Sequence, residues 1–123
     1  MGKRSTGGVL TGAAALALVS HDTEAALLAD LDAALTEGCG FAVATLNLDH
    51  LVKMARDAGF ADAYRAQTHV VADGNPVVWL RALMRRPVDL VPGSELIAPL
   101  AALAALRGVP VALYGSDQAT LDL

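Results

Sequence analysis

The sequence predicts an α/β fold built on a parallel sheet. Three observations predict it. Short apolar runs of strand type alternate with longer stretches whose leucines, valines and alanines recur at helical spacing. Glycines stand where several of those helical stretches should stop, at Gly38, Gly59 and Gly108. The Asp73-Gly74 pair leads from an apolar run into a helix, not into a second antiparallel strand. Alternation of this kind favours parallel strands covered by helices.

The elements follow in order. Residues 1–20 imitate a secretory signal, because Lys3 and Arg4 precede an apolar run. A disordered tail over residues 1–8 and a first strand over 15–19 are expected instead, since a helix start follows at once. Asp22 or Thr23 can cap that helix, with Glu24 in its first turn and Leu27, Leu28, Leu31 and Leu35 on one face. A strand is expected over 41–45. Asn47 then caps a helix that buries Leu48, Leu51, Val52 and Ala55. A short helix over 61–67 leads to a strand over 69–72. Asn75 and Pro76 suit the start of the next helix, with Val77, Leu80, Leu83 and Met84 on its apolar face. A short strand over 88–91, a helix ended by Gly108 and a strand over 109–115 complete the order. A further helix starts at Ser116 or Asp117. The architecture this order predicts is a Rossmann-like three-layer parallel sheet with helices on both faces, in one domain over residues 9–123.

Composition narrows the function. The chain has 123 residues, 54% of them apolar, and a mean hydropathy of +0.47, which suits one packed domain. Aromatics are 4%, too few for a base-stacking surface. Nine basic residues against thirteen acidic ones give −4, so nucleic acid is not an expected partner. The lone Cys39 excludes an internal disulfide and reads as a small buried residue. His21, His50 and His69 are scattered without ligand spacing, so no metal set is expected. The most apolar run, residues 96–108, is too short to span a membrane and contains Pro99.

In parallel α/β folds ligands bind beyond the carboxyl ends of the strands. Three loops fall there: 45–47, 73–75 and 115–117. Asp73 has two readings. Asp-Gly is a common turn signal. A carboxylate at a sheet edge before a helix can also do chemistry. Exposed N–H groups at the helix start favour its ionised form, and Val70, Val71 and Val77 around it oppose that. It could take a proton from a hydroxyl, or accept a sugar hydrogen bond with no proton transfer. Asn47 is a helix cap compatible with ligand contact. The turn at Tyr114, Gly115 and Ser116 can offer backbone N–H groups to a phosphate. Gly93, Ser94 and Glu95 form a fourth glycine-led helix start.

The order of these loops resembles the WecG/TagA/CpsF glycosyltransferase family. The matching elements are Thr45 and Asn47, then Asp73 and Gly74, then Gly93, Glu95 and Leu96, then Gly115. The resemblance runs from about Val9 to Leu123 and rests on order and spacing. It implies inverting transfer of an N-acetylmannosamine-like sugar. The donor would be a UDP-sugar, and the acceptor a lipid-linked pyrophosphate of the undecaprenyl type. It implies no metal or other cofactor, and work in the cytoplasm or at the inner membrane face. Asp73 would be the base, with Thr45, Asn47, Gly74, Asn75, Gly93, Ser94 and Glu95 around the sugar. Tyr114, Gly115 and Ser116 would lie near the nucleotide. Leu90 stands where the family usually has an arginine, and Arg85 or Arg86 would have to replace it. The family's basic, membrane-touching C-terminal part has no counterpart here, and the chain is expected to match the N-terminal portion of the family domain. Exposed apolar edges would then favour self-association. A non-catalytic nucleotide-sugar module and a plain α/β scaffold stay as alternatives.

Overall fold

The computed structural model describes residues 7–115. The elements are α1 Gly12–Leu16, α2 Glu24–Glu37, β1 Val43–Leu46, α3 Leu48–Arg56, α4 Ala58–Arg65, β2 His69–Ala72, α5 Asn75–Leu83 and α6 Gly93–Leu106. The chain is α/β, and β1 and β2 pair in parallel from Val43 opposite His69 to Leu46 opposite Ala72.

Several helix ends are where the sequence puts them. Thr23 accepts from the Ala26 N–H to cap α2, and Gly38, at φ 72°, closes it. Asn47 caps α3 by accepting from the His50 N–H at 2.9 Å. The stop of α3 is different. It ends at Arg56, and Asp57 starts α4 by accepting from the Phe60 N–H. Gly59 therefore lies inside α4. The buried residue of α3 is Met54, with Leu51 half-buried, while Leu48, Val52 and Ala55 are exposed. The side packed against α1 and α4 thus follows Met54.

Three expected strands are absent among the described residues. Of residues 15–19, Ala15 and Leu16 end α1 and residues 17–18 form a turn instead. Ala13, Ala14 and Ala15 are strong helix formers, and no β-branched residue lies between Thr11 and Val19. Residues 88–91 run alongside β2 without a ladder. Residues 109–114 form neither strand nor helix, and Val111, Leu113 and Tyr114 are exposed.

Edge occupancy explains the small sheet. On the side of β2 away from β1, the Val70 carbonyl accepts from the Ser20 N–H at 2.8 Å, and the Ala72 carbonyl from the Val91 N–H at 2.7 Å. The Val70 N–H donates to the Ser20 hydroxyl. On β1, the Thr45 carbonyl accepts from the Tyr64 hydroxyl. Loops and side chains therefore satisfy edge groups that a further strand would need.

Both faces of the strand pair are covered. Leu46, Val70 and Ala72 pack with Ala15, Leu16, Met54, Ala61, Tyr64 and Val77. Val71, pointing the other way, packs with Leu27, Leu31, Val91 and Leu96. Helices thus lie on both faces, but the broad sheet of a three-layer Rossmann-like fold is not seen among the described residues. Cys39, expected inside, is exposed in the loop after α2. The Arg107 guanidinium grips both oxygens of Asp32, at 2.6 and 3.0 Å, and ties the end of α6 to α2.

Candidate active site at the carboxyl ends of the strands

Parallel pairing brings the ends of β1 and β2 level. The Asp73 N–H donates to the Leu46 carbonyl at 2.8 Å, so the pairing runs one bond past β2. Asp73 therefore sits one residue beyond the strand, level with Asn47. Gly74 then turns the chain with φ 112°, a conformation that disfavours a side chain. Asn75 and Pro76 open α5; Gly74, not Asn75, is its N-cap.

The third partner comes from far along the chain. Pro92, the N-cap of α6, offers no side-chain hydrogen bond. The Asp73 carboxylate takes that role, accepting from the Gly93 N–H through Oδ2 at 3.3 Å. A Cβ on Gly93 would lie 3.2 Å from Thr45 Cγ2, 3.3 Å from Thr45 Oγ1 and 3.6 Å from Asp73 Oδ2. Thr45, Asp73 and Gly93 are thus in close approach, and a side chain at Gly93 would need Thr45 to give by a few tenths of an ångström. Asp73 therefore precedes the start of α5 and caps the start of α6. Among the described residues Oδ1 has no hydrogen-bond partner, and the residue is partly exposed.

Two neighbours were not among the residues the sequence singles out. Tyr64 donates to the Thr45 carbonyl at 2.8 Å and lies 2.5 Å from His50 Nδ1. His50 Nδ1 is itself 3.1 Å from the same carbonyl. Burial, and then the charge of Asp73, push the Tyr64 hydroxyl up to about 12, so it stays a neutral donor. His50 had a faint signal, three residues after the cap Asn47 and so on the first turn facing the strand end. Tyr64 had none, because the packing of α4 on α3 decides its place.

The remaining expected residues separate. Ser94 and Glu95 are exposed in the first turn of α6, where Glu95 complements the helix dipole. Tyr114 and Gly115 lie in the exposed segment after α6 and are not joined to Asp73 by any contact among the described residues. Ser116 lies outside the described residues. Arg85 and Arg86 follow the C-terminal end of α5, a helix about 13 Å long, whose other end adjoins Asp73. Both are exposed.

The arrangement can hold an anion or a hydroxyl. It offers one carboxylate oxygen, a threonine hydroxyl and two helix starts within one small region. The sequence model of the Glycosyl transferase WecG/TagA/CpsF family matches residues 15–123. No curated protein and no solved structure matches the chain.

Proposed function

Since the chain belongs to the WecG/TagA/CpsF family of glycosyl transferases, we propose that it moves a sugar from a UDP-sugar to a lipid-linked pyrophosphate acceptor during bacterial cell-surface polysaccharide synthesis. The observation that supports this reading is the meeting of Thr45, Asp73 and Gly93 at the carboxyl ends of two parallel strands.

In this reading Asp73 removes the proton from the acceptor hydroxyl. The acceptor oxygen forms a bond to the anomeric carbon, and the bond from that carbon to the diphosphate oxygen breaks. The electron pair leaves with UDP, and the anomeric centre inverts. Thr45 and Asn47 border the sugar. The starts of α5 and α6 favour the negative charge that develops on the diphosphate. Tyr64 fixes the end of β1 as a neutral donor. The step runs without a metal. The lipid acceptor would be met at the inner membrane face; no helix among the described residues is long and apolar enough to cross a membrane.

One observation favours a second reading. Asp73 already caps α6 through Oδ2, so its role could be to join α6 to the strands in a nucleotide-sugar binding module. Asp73→Asn separates the two, because the amide oxygen can still accept from Gly93 but cannot act as the base. UDP release from UDP-N-acetylmannosamine with a lipid-pyrophosphate acceptor is the measurement. The transferase reading expects a fall of about 100-fold or more with UDP binding and folding retained. Turnover at the wild-type rate would leave Asp73 as a cap.

A further inference from the structure

The amino end of the sheet holds a second constellation, away from Asp73. His69 begins β2, His21 lies in the loop before α2, and Asp30 is on α2. His69 and Asp73 are four residues apart on an extended strand, about 13 Å. Asp30 Oδ2 is 2.9 Å from His69 Nε2 and 3.0 Å from His21 Nε2. All three ligand-type atoms lie within 4.8 Å of one another. The two imidazoles stack, with centroids 5.0 Å apart.

The shape suits a transition-metal ion. Around tetrahedral zinc, with bonds of about 2.0–2.1 Å, neighbouring ligand atoms are roughly 3.3 Å apart. The two contacts to Asp30 are within a few tenths of an ångström of that, while the two ring nitrogens, up to 4.8 Å apart, must close toward each other to share one ion. Two imidazoles and one carboxylate are a donor set for zinc-class ions, not for calcium or magnesium, which prefer oxygen. His69 is buried and His21 half-buried, while the Asp30 side chain is about half exposed. That leaves a side from which water can supply a fourth ligand.

The outer contacts orient both rings in the same way. His21 Nδ1 is 2.7 Å from the Ser20 hydroxyl, and His69 Nδ1 is 2.6 Å from the Thr68 hydroxyl. Each hydroxyl also accepts from a backbone N–H, that of Val70 for Ser20 and that of Ala42 for Thr68. Each is also within reach of a backbone carbonyl, Val70 at 3.2 Å and Ala42 at 2.9 Å. A hydroxyl has one proton to give. When it goes to the carbonyl, the imidazole must donate through Nδ1; when it goes to Nδ1, the Nε2–H donates to Asp30 instead. In the first case a neutral ring presents an Nε2 lone pair toward Asp30. Two lone pairs facing one carboxylate repel unless a cation or a proton lies between them. A hydrogen-bonded Nδ1 that leaves Nε2 free is also how protein shells hold metal-binding histidines.

We propose that His21, Asp30 and His69 bind one zinc-class divalent ion, which fastens α2 and the Ser20–His21 loop to the start of β2. The proposal is independent of the chemistry at Asp73. It explains why residues with no ligand spacing in the sequence converge on a single carboxylate oxygen.

Zinc titration of the chelator-treated full chain, by calorimetry and thermal melting, tests it, with cobalt absorption as a spectroscopic readout. The expected result is one saturable zinc per chain, a raised melting midpoint and a low-symmetry cobalt spectrum. Asp30→Asn and His21→Gln should each weaken zinc binding by about tenfold or more. Both keep hydrogen-bonding groups at exposed or half-exposed positions, so their zinc-free melting should stay near wild type. Absence of saturable binding to the wild type overturns the proposal, as does wild-type affinity in either variant. The trio would then be a hydrogen-bond cluster only.

Discussion

Thr45, Asp73 and Gly93 are close enough that one added methyl group disturbs the group. In Gly93→Ala the new carbon meets Thr45 Cγ2 at 3.2 Å, so Thr45 or α6 must give way. The expected loss of stability is about 1 kcal/mol, read from denaturant midpoints, with a larger proportional fall in sugar transfer. Tyr64 gives a pH prediction. Its folded value of about 12 lies above the ordinary 10.0, so the folded state holds the phenol proton more tightly. That stabilisation is full below pH 10.0 and is lost as pH rises through about 12. It corresponds to roughly 3 kcal/mol at most. Tyr64→Phe should remove this alkaline loss, and it should cost about 1–2 kcal/mol at neutral pH by leaving the Thr45 carbonyl with one donor fewer. Asp73 was legible as a loop residue of a parallel sheet, whereas Thr45, expected in the 45–47 loop, is the third residue of β1. The Gly93–Asp73 cap was not, because twenty residues separate the pair and no local rule joins them.

Helix-to-helix fastenings belong to the scale of elements. Arg81 on α5 is buried, donating to the Leu16 carbonyl at the end of α1 and to the Arg86 carbonyl, both at 3.0 Å. It therefore closes one helix with the side chain of another. Arg81→Met keeps the volume but leaves both carbonyls without that donor, and should cost about 1–3 kcal/mol in chemical denaturation. The Asp32–Arg107 fork acts between α2 and α6. The Arg107 hydrogen bond holds the Asp32 carboxyl below the ordinary 3.8. With a lowered folded value, the stabilisation is present above pH 3.8 and is lost as pH falls through the folded value. Arg107→Gln should blunt this acid sensitivity in pH-dependent melting. The caps Thr23, Asn47 and Gly38 were readable because each acts within one turn. The strand over 15–19 was misread because an alanine-rich run can be a buried strand or a short helix, and neighbours decide which.

At the scale of the whole molecule, the covered strand pair contrasts with an open apolar side. Ile97, Leu100 and Ala101 on α6 and Val111 and Leu113 beyond it line a cleft of about 450 Å³. Ile97, Val111 and Leu113 are each more than 60% exposed, more than isolated surface residues would explain. Concentration-dependent self-association through this side is expected in sedimentation velocity. Leu113→Lys should weaken it and leave the melting midpoint nearly unchanged, because a side chain so exposed contributes little to folding.

The sequence by itself determined the α/β class, the parallel sense of the sheet, the caps at Thr23, Gly38 and Asn47, and the strand ends near which Thr45, Asn47 and Asp73 lie. These features are set within a few residues, by apolar period, capping side chains and turn glycines. The tertiary structure alone decided which loops meet. It brought Gly93 to Asp73, Tyr64 and His50 to the Thr45 carbonyl, and His21 and His69 to Asp30. It also left residues 88–91 bonded to β2 only through the Val91 N–H, and residues 109–114 without strand structure. The physical reason is common to all of them. A hydrogen bond between distant segments depends on how whole helices pack, and no local pattern encodes that packing.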